Sequence, residues 1–160
     1  MMLNASKIKN KVLRKLIASS AKVVLFDNYS KFKNKGIDIP MAHRSEYLDY
    51  GDSLKWEDTE YNYRLSNLED IYYAVLNNKV VGHIGIDDDY SIRAVYVDPE
   101  YRNRGISEKM HLEIFKLYPR VMSDDSDAME VAEKKLWEKL MKRFPDNIQK
   151  LEDGSFVHKF

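Results

Sequence analysis

The chain has no cysteine, which excludes disulfides, thiolate nucleophiles and cysteine-ligated zinc, and nothing marks its compartment as oxidising. It has no excess of charge either: 26 basic and 26 acidic residues cancel to zero. That balance removes any bulk attraction to nucleic acid. Long apolar runs are missing too. No segment approaches the ~18 apolar residues of a membrane span, and Arg14 and Lys15 break "VLRKLIASSA" before a signal-peptide core could form. We therefore expect a cytoplasmic protein with neither membrane nor nucleic acid as partner. What is present, 160 residues of which 44% are hydrophobic and 32% charged, suits one soluble domain with a sizeable core.

No repeat or low-complexity linker divides the chain, but its texture changes near residue 70. From Ala5 to Ser19, Ile8, Val12, Leu16 and Ile17 recur at helical spacing among lysines and arginines, a basic amphipathic helix. "KVVLFD" (22–27) is a short strand candidate. Residues 28–66 are polar and rich in tyrosine, with Gly36, Pro40 and Gly51 as breakers, and read as largely irregular. Beyond them "IYYAVLNNKVVGHIGID" sets two β-prone runs around Asn77-Asn78, an antiparallel hairpin signal. "SIRAVYVD" is the next strand, ended by Pro99. Met110, Ile114 and Leu117 form a helical stripe over 107–118, and "RVM" (120–122) is a short strand. Asp127 with Glu130 has the form of a capping box for a second helix, with Met129, Ala132, Leu136 and Leu140 as its buried line. Asp153-Gly154 signals a last hairpin with a type I′ turn.

Between the strand ending at Asp98 and the helix beginning near Ser107 lies "PEYRNRGI". A helix start leaves backbone N–H groups unpaired at a positive dipole end. Gly105 lets the backbone approach a ligand closely, and Arg102 and Arg104 add positive charge. Such a loop suits a phosphate or pyrophosphate. An ordinary strand-to-helix connection with two solvent-facing arginines accounts for the same residues.

The stretch "VYVDPEYRNRGIS" resembles the acetyl-coenzyme A signature of the GNAT superfamily of N-acetyltransferases, V-x-V-x-P-x-x-R-x-x-G-x-G/A, at the end of the fourth strand. Val95, Val97, Pro99, Arg102 and Gly105 match, and Ser107 stands where glycine or alanine is usual. "IYYAVLNNKVVGHIGI" is similar to the family's second and third strands and "KLWEKLMKRFP" to its late helix, so the likeness covers about residues 70–145. It implies an α/β (α+β) GNAT fold: a mixed, mostly antiparallel sheet splayed at strands 4 and 5, with helices on both faces. It also implies a single domain over 1–160, with a variable acceptor-side part at 1–69 and a cofactor-binding core at 70–160. The segment "SDDSDAMEVAEKKLWEKLMKRFP" looks like GNAT members carried by bacteriophages.

By that resemblance the backbone of Val95, Tyr96 and Val97 would bind the pantetheine and acetyl carbonyl of acetyl-coenzyme A. Arg102, Asn103, Arg104, Gly105, Ile106 and Ser107 would cradle its pyrophosphate. A neutral primary amine would attack the thioester directly, which calls for a donor to the thioester oxygen and a route for the amine proton. The chain departs from its relatives here. Trp137 replaces the tyrosine often used as general acid, and an indole N–H cannot deliver a proton near neutral pH. Glu130 stands where a pantetheine-contacting asparagine is common. Ser91 and Arg93 occupy the positions where several members place a base, and arginine cannot be one. Ser91 and the acidic turn Asp87–Asp89 remain. Asp89 is the candidate proton acceptor, and Arg93 the candidate contact for an acceptor not identified by sequence. An acidic β-turn with no chemistry fits the same residues. His83, His111 and His158 read as packed or surface histidines, and no spacing supports a metal site. Two readings stay open: an active N-acetyltransferase, monomeric or homodimeric, or a weak or inactive GNAT-fold module that binds coenzyme A or another protein.

Overall fold

The computed structural model describes residues 12–13, 16–25, 36–40, 43 and 70–160. A four-stranded antiparallel sheet is built from β1 (Lys22–Leu25), β2 (Asp70–Leu76), β3 (Lys79–Ile86) and β4 (Ile92–Val97), in that order across the sheet. A one-turn 3-10 helix (Pro99–Tyr101) leads into α1 (Ile106–Leu117), then β5 (Arg120–Met122), α2 (Val131–Arg143), β6 (Ile148–Lys150) and β7 (Phe156–Lys159). The last three strands form a second sheet, ordered β5-β7-β6. The two sheets meet through a single parallel bridge, Ser91 to Met122, so β4 and β5 part immediately beyond it. This is the mixed α/β fold, mostly antiparallel and splayed at the fourth and fifth strands, that the sequence implies.

The β2–β3 hairpin turns as expected, with Asn77 and Asn78 at φ 51° and 60°, the left-handed pair that a type I′ turn requires. Two bulges interrupt the sheet. Val81 is the extra residue where Ala74 pairs with Gly82 and Val75 with Val80. Arg93 is the extra residue where Gly85 pairs with Ala94 and Ile86 with Ile92. One face of the sheet, carrying Tyr72, Ala74, Leu76, Ile84, Ile86 and Val97, packs with α1 and α2 through Met110, Ile114, Phe115, Trp137 and Leu140. Gly82 admits α1 to this face: a Cβ there would meet Tyr96 O at 3.1 Å and the Met110 Cε at 3.3 Å. The opposite face, with Ile71, Tyr73, Val75, Val80 and Ala94, packs against Ile39.

Three expectations need correction. α2 begins at Val131 with Glu130 as its N-cap and no side-chain cap, because Asp125 O takes the N–H groups of Ala128 and Met129 in a separate turn. Its buried side is therefore Trp137 and Leu140, with Ala132 exposed. The turn at Asp153-Gly154 is not type I′: only Gly154 has positive φ, 88°, and Gly154 N donates to Leu151 O while Asp153 bonds to Ser155 N. Leu117, placed in the apolar stripe of α1, is exposed, and His111 and Phe115 are buried in the helix instead. Residues 16–20 are helical, and β1 covers 22–25 of the strand expected at 22–27, with 26 and 27 outside the described residues. Most of the early helix and of the tyrosine-rich stretch lies outside the described residues. No described helix is long and apolar enough to cross a membrane.

Candidate functional site

β4 is an edge strand, and its geometry decides what it offers. Asp98 N donates to Val81 O, so the backbone of Asp98 faces β3. N–H and C=O groups alternate sides along a strand, so those of Val95 and Val97 face away, into the gap toward β5. Val97 O accepts the Arg102 Nε–H at 2.9 Å. Among the described residues nothing pairs with the outward N–H groups of Val95 and Val97, and an unpaired edge is a place for a ligand's amides. The Val95 and Val97 side chains pack into the core, and Tyr96 points to the opposite face.

The loop continues the same edge. Asn103 at φ 60° and Gly105 at φ 84° both take the left-handed conformation, which folds the chain into α1 within four residues. Arg102 lies over the Tyr96 ring and Arg104 over the Tyr101 ring. No side chain caps α1 among the described residues, and Gly105 O receives Lys109 N, so the N–H groups of the first turn have no side-chain partner there, close in sequence to Arg102 and Arg104. Ile106 is buried and contributes only its backbone, while Ser107 is half-buried. A Cβ on Gly105 would come within 3.2 Å of Ala18 Cβ, so the early helical residues pack close behind the loop.

Arg93, bulged out of β4, is set among carboxylates. Its guanidinium meets Asp124 at 2.6 Å, Asp89 at 3.1 Å, Asp87 at 3.4 Å and Asp125 at 3.8 Å. Partial burial would raise the Asp89 carboxyl, but hydrogen bonds from Ser91 and the charge of Arg93 outweigh it and lower its pKa. A carboxylate held in this way is a poor proton acceptor. Ser91 is buried and bound to the same carboxylate through its N–H at 3.0 Å. The structure thus gathers Asp89, Ser91 and Arg93 into one group at the foot of the splay, joined to β5 by Asp124. The carboxylates of Asp87, Asp88 and Asp89 lie within 4.8 Å of one another, and Arg93 pairs with two of them, Asp87 and Asp89.

Trp137 is fully buried, stacked on Phe156, with its Nε1–H donating to Glu133 Oε1 at 3.1 Å. It fills the core and delivers no proton. The same Glu133 oxygen lies 2.5 Å from Nε2 of buried His111 on α1, whose Nδ1–H reaches Ser107 O at 2.7 Å. Burial alone would lower the His111 pKa, but the Glu133 carboxylate outweighs it and raises it. His158 stacks on Phe115 and is lowered by burial. Both histidines belong to the packing, as expected from the sequence.

One cluster was not visible in the sequence. His43 and His83 are completely buried on the Tyr96 face of the sheet with their Nδ1 atoms 2.8 Å apart, and His43 Nε2 lies 2.6 Å from Asp98 Oδ1. The Tyr73 hydroxyl donates to His43 O at 2.5 Å, and the Tyr96 ring stacks on His83. His43 stands in the polar stretch 40 residues before His83, and no local spacing links them.

A model of the acetyltransferase (GNAT) family matches residues 39–121, just over half of the chain. No curated protein matches the chain significantly. Among solved structures, the chain is similar to a GCN5-related N-acetyltransferase from Rhodopseudomonas palustris at 15% identity, covering 90% of this chain and 98% of that one, with a TM-score of 0.49. It is similar to a GNAT family acetyltransferase from Elizabethkingia anophelis, solved with acetyl-CoA bound, at 16% identity over 64% of this chain and 84% of that one, with a TM-score of 0.43. Arabidopsis thaliana Naa50, solved with a bisubstrate analogue, shares 12% identity over 88% of this chain and 99% of that one, with a TM-score of 0.40. At such identities and scores it is the family match that carries the assignment.

Proposed function

The chain belongs to the GNAT acetyltransferase family, and from that premise we propose that it transfers an acetyl group from acetyl-coenzyme A to a primary amine. The observation that carries this reading is one continuous edge: outward backbone of Val95 and Val97, then the loop, then the uncapped start of α1. These residues fit the group. N–H and C=O groups on an open strand complement pantetheine amides, and a helix start with Arg102, Asn103, Arg104, Gly105, Ile106 and Ser107 complements a pyrophosphate. Bound there, the coenzyme would supply an activated acetyl group.

The chain's own part is to orient and to manage charge. The outward backbone of Val95 and Val97 would hold the thioester against the strand and an N–H of this edge would polarise its oxygen, while the Tyr96 backbone faces β3, opposite His83, and contributes only by keeping the edge in place. The amine nitrogen would form the C–N bond as the C–S bond breaks, coenzyme A would leave as its thiolate, and the proton lost by the amine would pass to water and balance the thiolate as the free thiol. Asp89, Ser91 and Arg93 act together here as the clamp that holds the foot of the splay, with Arg93 fixing β4 to Asp124. Residues 1–69 form the acceptor side of a single domain. We place the activity in the cytoplasm, with acetyl-coenzyme A and the amine as the protein's partners.

A second reading, a module that binds coenzyme A without turnover, is favoured by one observation: Trp137, where relatives carry an acidic tyrosine, is sealed in the core. A single assay separates the two. Thioester loss from acetyl-coenzyme A is followed against a lysine peptide, a peptide with a free N-terminus and glucosamine. Turnover with one of them supports transfer, and coenzyme binding with no turnover on any supports the module.

A further inference from the structure

Among the described residues, the only ladder contact between β4 and β5 is the parallel bridge of Ser91 to Met122. Continued by two residues on each strand, that register sets 93 beside 124, where the backbones have already parted. Side chains take up the contact there: Arg93 Nη1 lies 2.6 Å from Asp124 Oδ1. Arg93 can cross the gap because it is the extra residue of the β4 bulge, between Ile92, paired with Ile86, and Ala94, paired with Gly85. A bulge re-aims its side chain out of the regular alternation of the strand.

Both ends of this crossbar are held. On the β4 side the guanidinium also meets Asp89 at 3.1 Å and Asp87 at 3.4 Å, both from the turn before the strand. On the β5 side Asp124 Oδ1 accepts the Asp125 N–H at 2.9 Å, and the Ser123 hydroxyl donates to Asp124 O at 2.9 Å. Ser123 is tied in turn to Phe156 of β7, giving its N–H to Phe156 O and accepting the Phe156 N–H on Oγ, each at 2.9 Å. The side chains of Arg93 and Asp124 are 26% and 13% exposed, so the bridge is mostly shielded from water. The narrow end of the splay is thus closed by a fixed, charged pair.

The coenzyme A reading gives that closure a meaning. With the pyrophosphate at the start of α1 and the pantetheine amides on the outward backbone of Val97 and Val95, the acyl end of the coenzyme would run along β4 toward Arg93. Val95 and Arg93 are two residues apart, at most about 7 Å along an extended strand. An acyl group longer than acetyl would press its apolar carbons onto the bridge. Such carbons displace water from a guanidinium and a carboxylate without offering a hydrogen bond in return. Resting on the coenzyme A reading, we propose that the Arg93–Asp124 bridge is the stop that sets acyl-chain length, admitting acetyl and rejecting longer acyl groups. Arg93 and Asp124 are specificity-determining residues in this scheme and take no part in proton transfer.

The test is calorimetry on the whole protein with coenzyme A, acetyl-coenzyme A and butyryl-coenzyme A, in wild type, Asp124→Ala and Asp124→Asn. An open apolar cleft would favour butyryl over acetyl by about tenfold, since two more methylenes leave water. The stop reverses the sign: wild type should bind butyryl-coenzyme A at least about tenfold more weakly than acetyl-coenzyme A. Asp124→Ala cuts the crossbar at its β5 end while Asp87 and Asp89 still pair with Arg93. Butyryl-coenzyme A should then bind within about threefold of acetyl-coenzyme A, or more tightly. Asp124→Asn keeps the shape of the side chain and loses its charge, so it should narrow the ratio by a smaller step, and it serves where the alanine variant does not fold. Coenzyme A, which has no acyl group, is the reference for each protein. Wild type binding butyryl- as tightly as acetyl-coenzyme A overturns the stop, as does an acyl ratio that neither variant changes. Equal weakening of both acyl forms makes the bridge structural only and overturns it too. No binding of any of the three by wild type overturns the coenzyme A reading and the stop with it.

Discussion

Two buried histidine networks lie on opposite faces of the same sheet, and they handle charge in opposite ways. Between α1 and α2, His111 faces the Glu133 carboxylate directly, which outweighs burial and keeps the imidazole protonated to a higher pH than usual. On the other face His83 meets another imidazole instead, and burial together with His43 drives its pKa down. Depth of burial is the same for both rings. What differs is the first partner: a carboxylate favours the charged imidazole, and a second imidazole does not. The helix-side network then works as a bolt, tying the cofactor-loop helix, through His111 and Ser107, to the late helix. The sheet-side network holds His83 against His43 inside the sheet's other face.

The largest expected effect breaks the bolt. Trp137→Ala removes a fully buried ring and one donor to Glu133, and should cost about 3–5 kcal/mol in urea unfolding. Trp137→Phe keeps an aromatic ring in the core and loses the pyrrole part with its N–H, so it should cost less stability than alanine and retain most of the turnover. A turnover loss of several decades in the phenylalanine variant, with unchanged melting, would return a catalytic part to this residue.

A smaller effect sharpens the contrast through pH. His111 has a raised folded-state pKa, so its stabilisation is fully present below its unfolded value of ~6.5 and fades as pH rises through the folded value. His83 has a lowered one, so its neutral form supports the fold above ~6.5 and that support fades as pH falls toward the folded value. Melting temperature against pH should therefore lose its alkaline slope in His111→Gln and its acid slope in His83→Gln. The same slope change in both variants would erase the distinction.

The smallest effect concerns the acidic turn. Arg93 keeps its 2.6 Å contact with Asp124 whichever neighbour is removed, so Asp89→Asn and Asp87→Asn should each leave turnover within about threefold of wild type. A selective loss of about 10²-fold in Asp89→Asn would make that carboxylate the base after all.

The sequence announces what local chemistry controls. Asn77-Asn78, the alternation in β4, Gly105 and the apolar spacing of α1 each act over a few residues, and the hairpin, edge strand and loop follow from them. Where it misleads, a local pattern is satisfied by a competing local bond. Asp127 and Glu130 imitate a capping box, yet Asp125 O closes a turn just before the helix. Where it is silent, the contact is distant in the chain. Arg93 looks available until Asp124, 31 residues on, is folded against it. His43 sits in an irregular polar stretch and gains meaning only when the sheet brings His83 and Asp98 to it.

The central claim, that the edge running from β4 through the loop binds coenzyme A, is tested most directly by calorimetry on wild type, Gly105→Asn and Gly105→Asp. Both substitutions impose the same left-handed strain at φ 84° and the same Cβ near Ala18, and they differ only in charge. If the first turn of α1 holds the pyrophosphate, wild type binds coenzyme A, and the aspartate variant should bind at least about tenfold more weakly than the asparagine variant. Equal affinity in the two variants, or no binding by the wild type, would contradict the account.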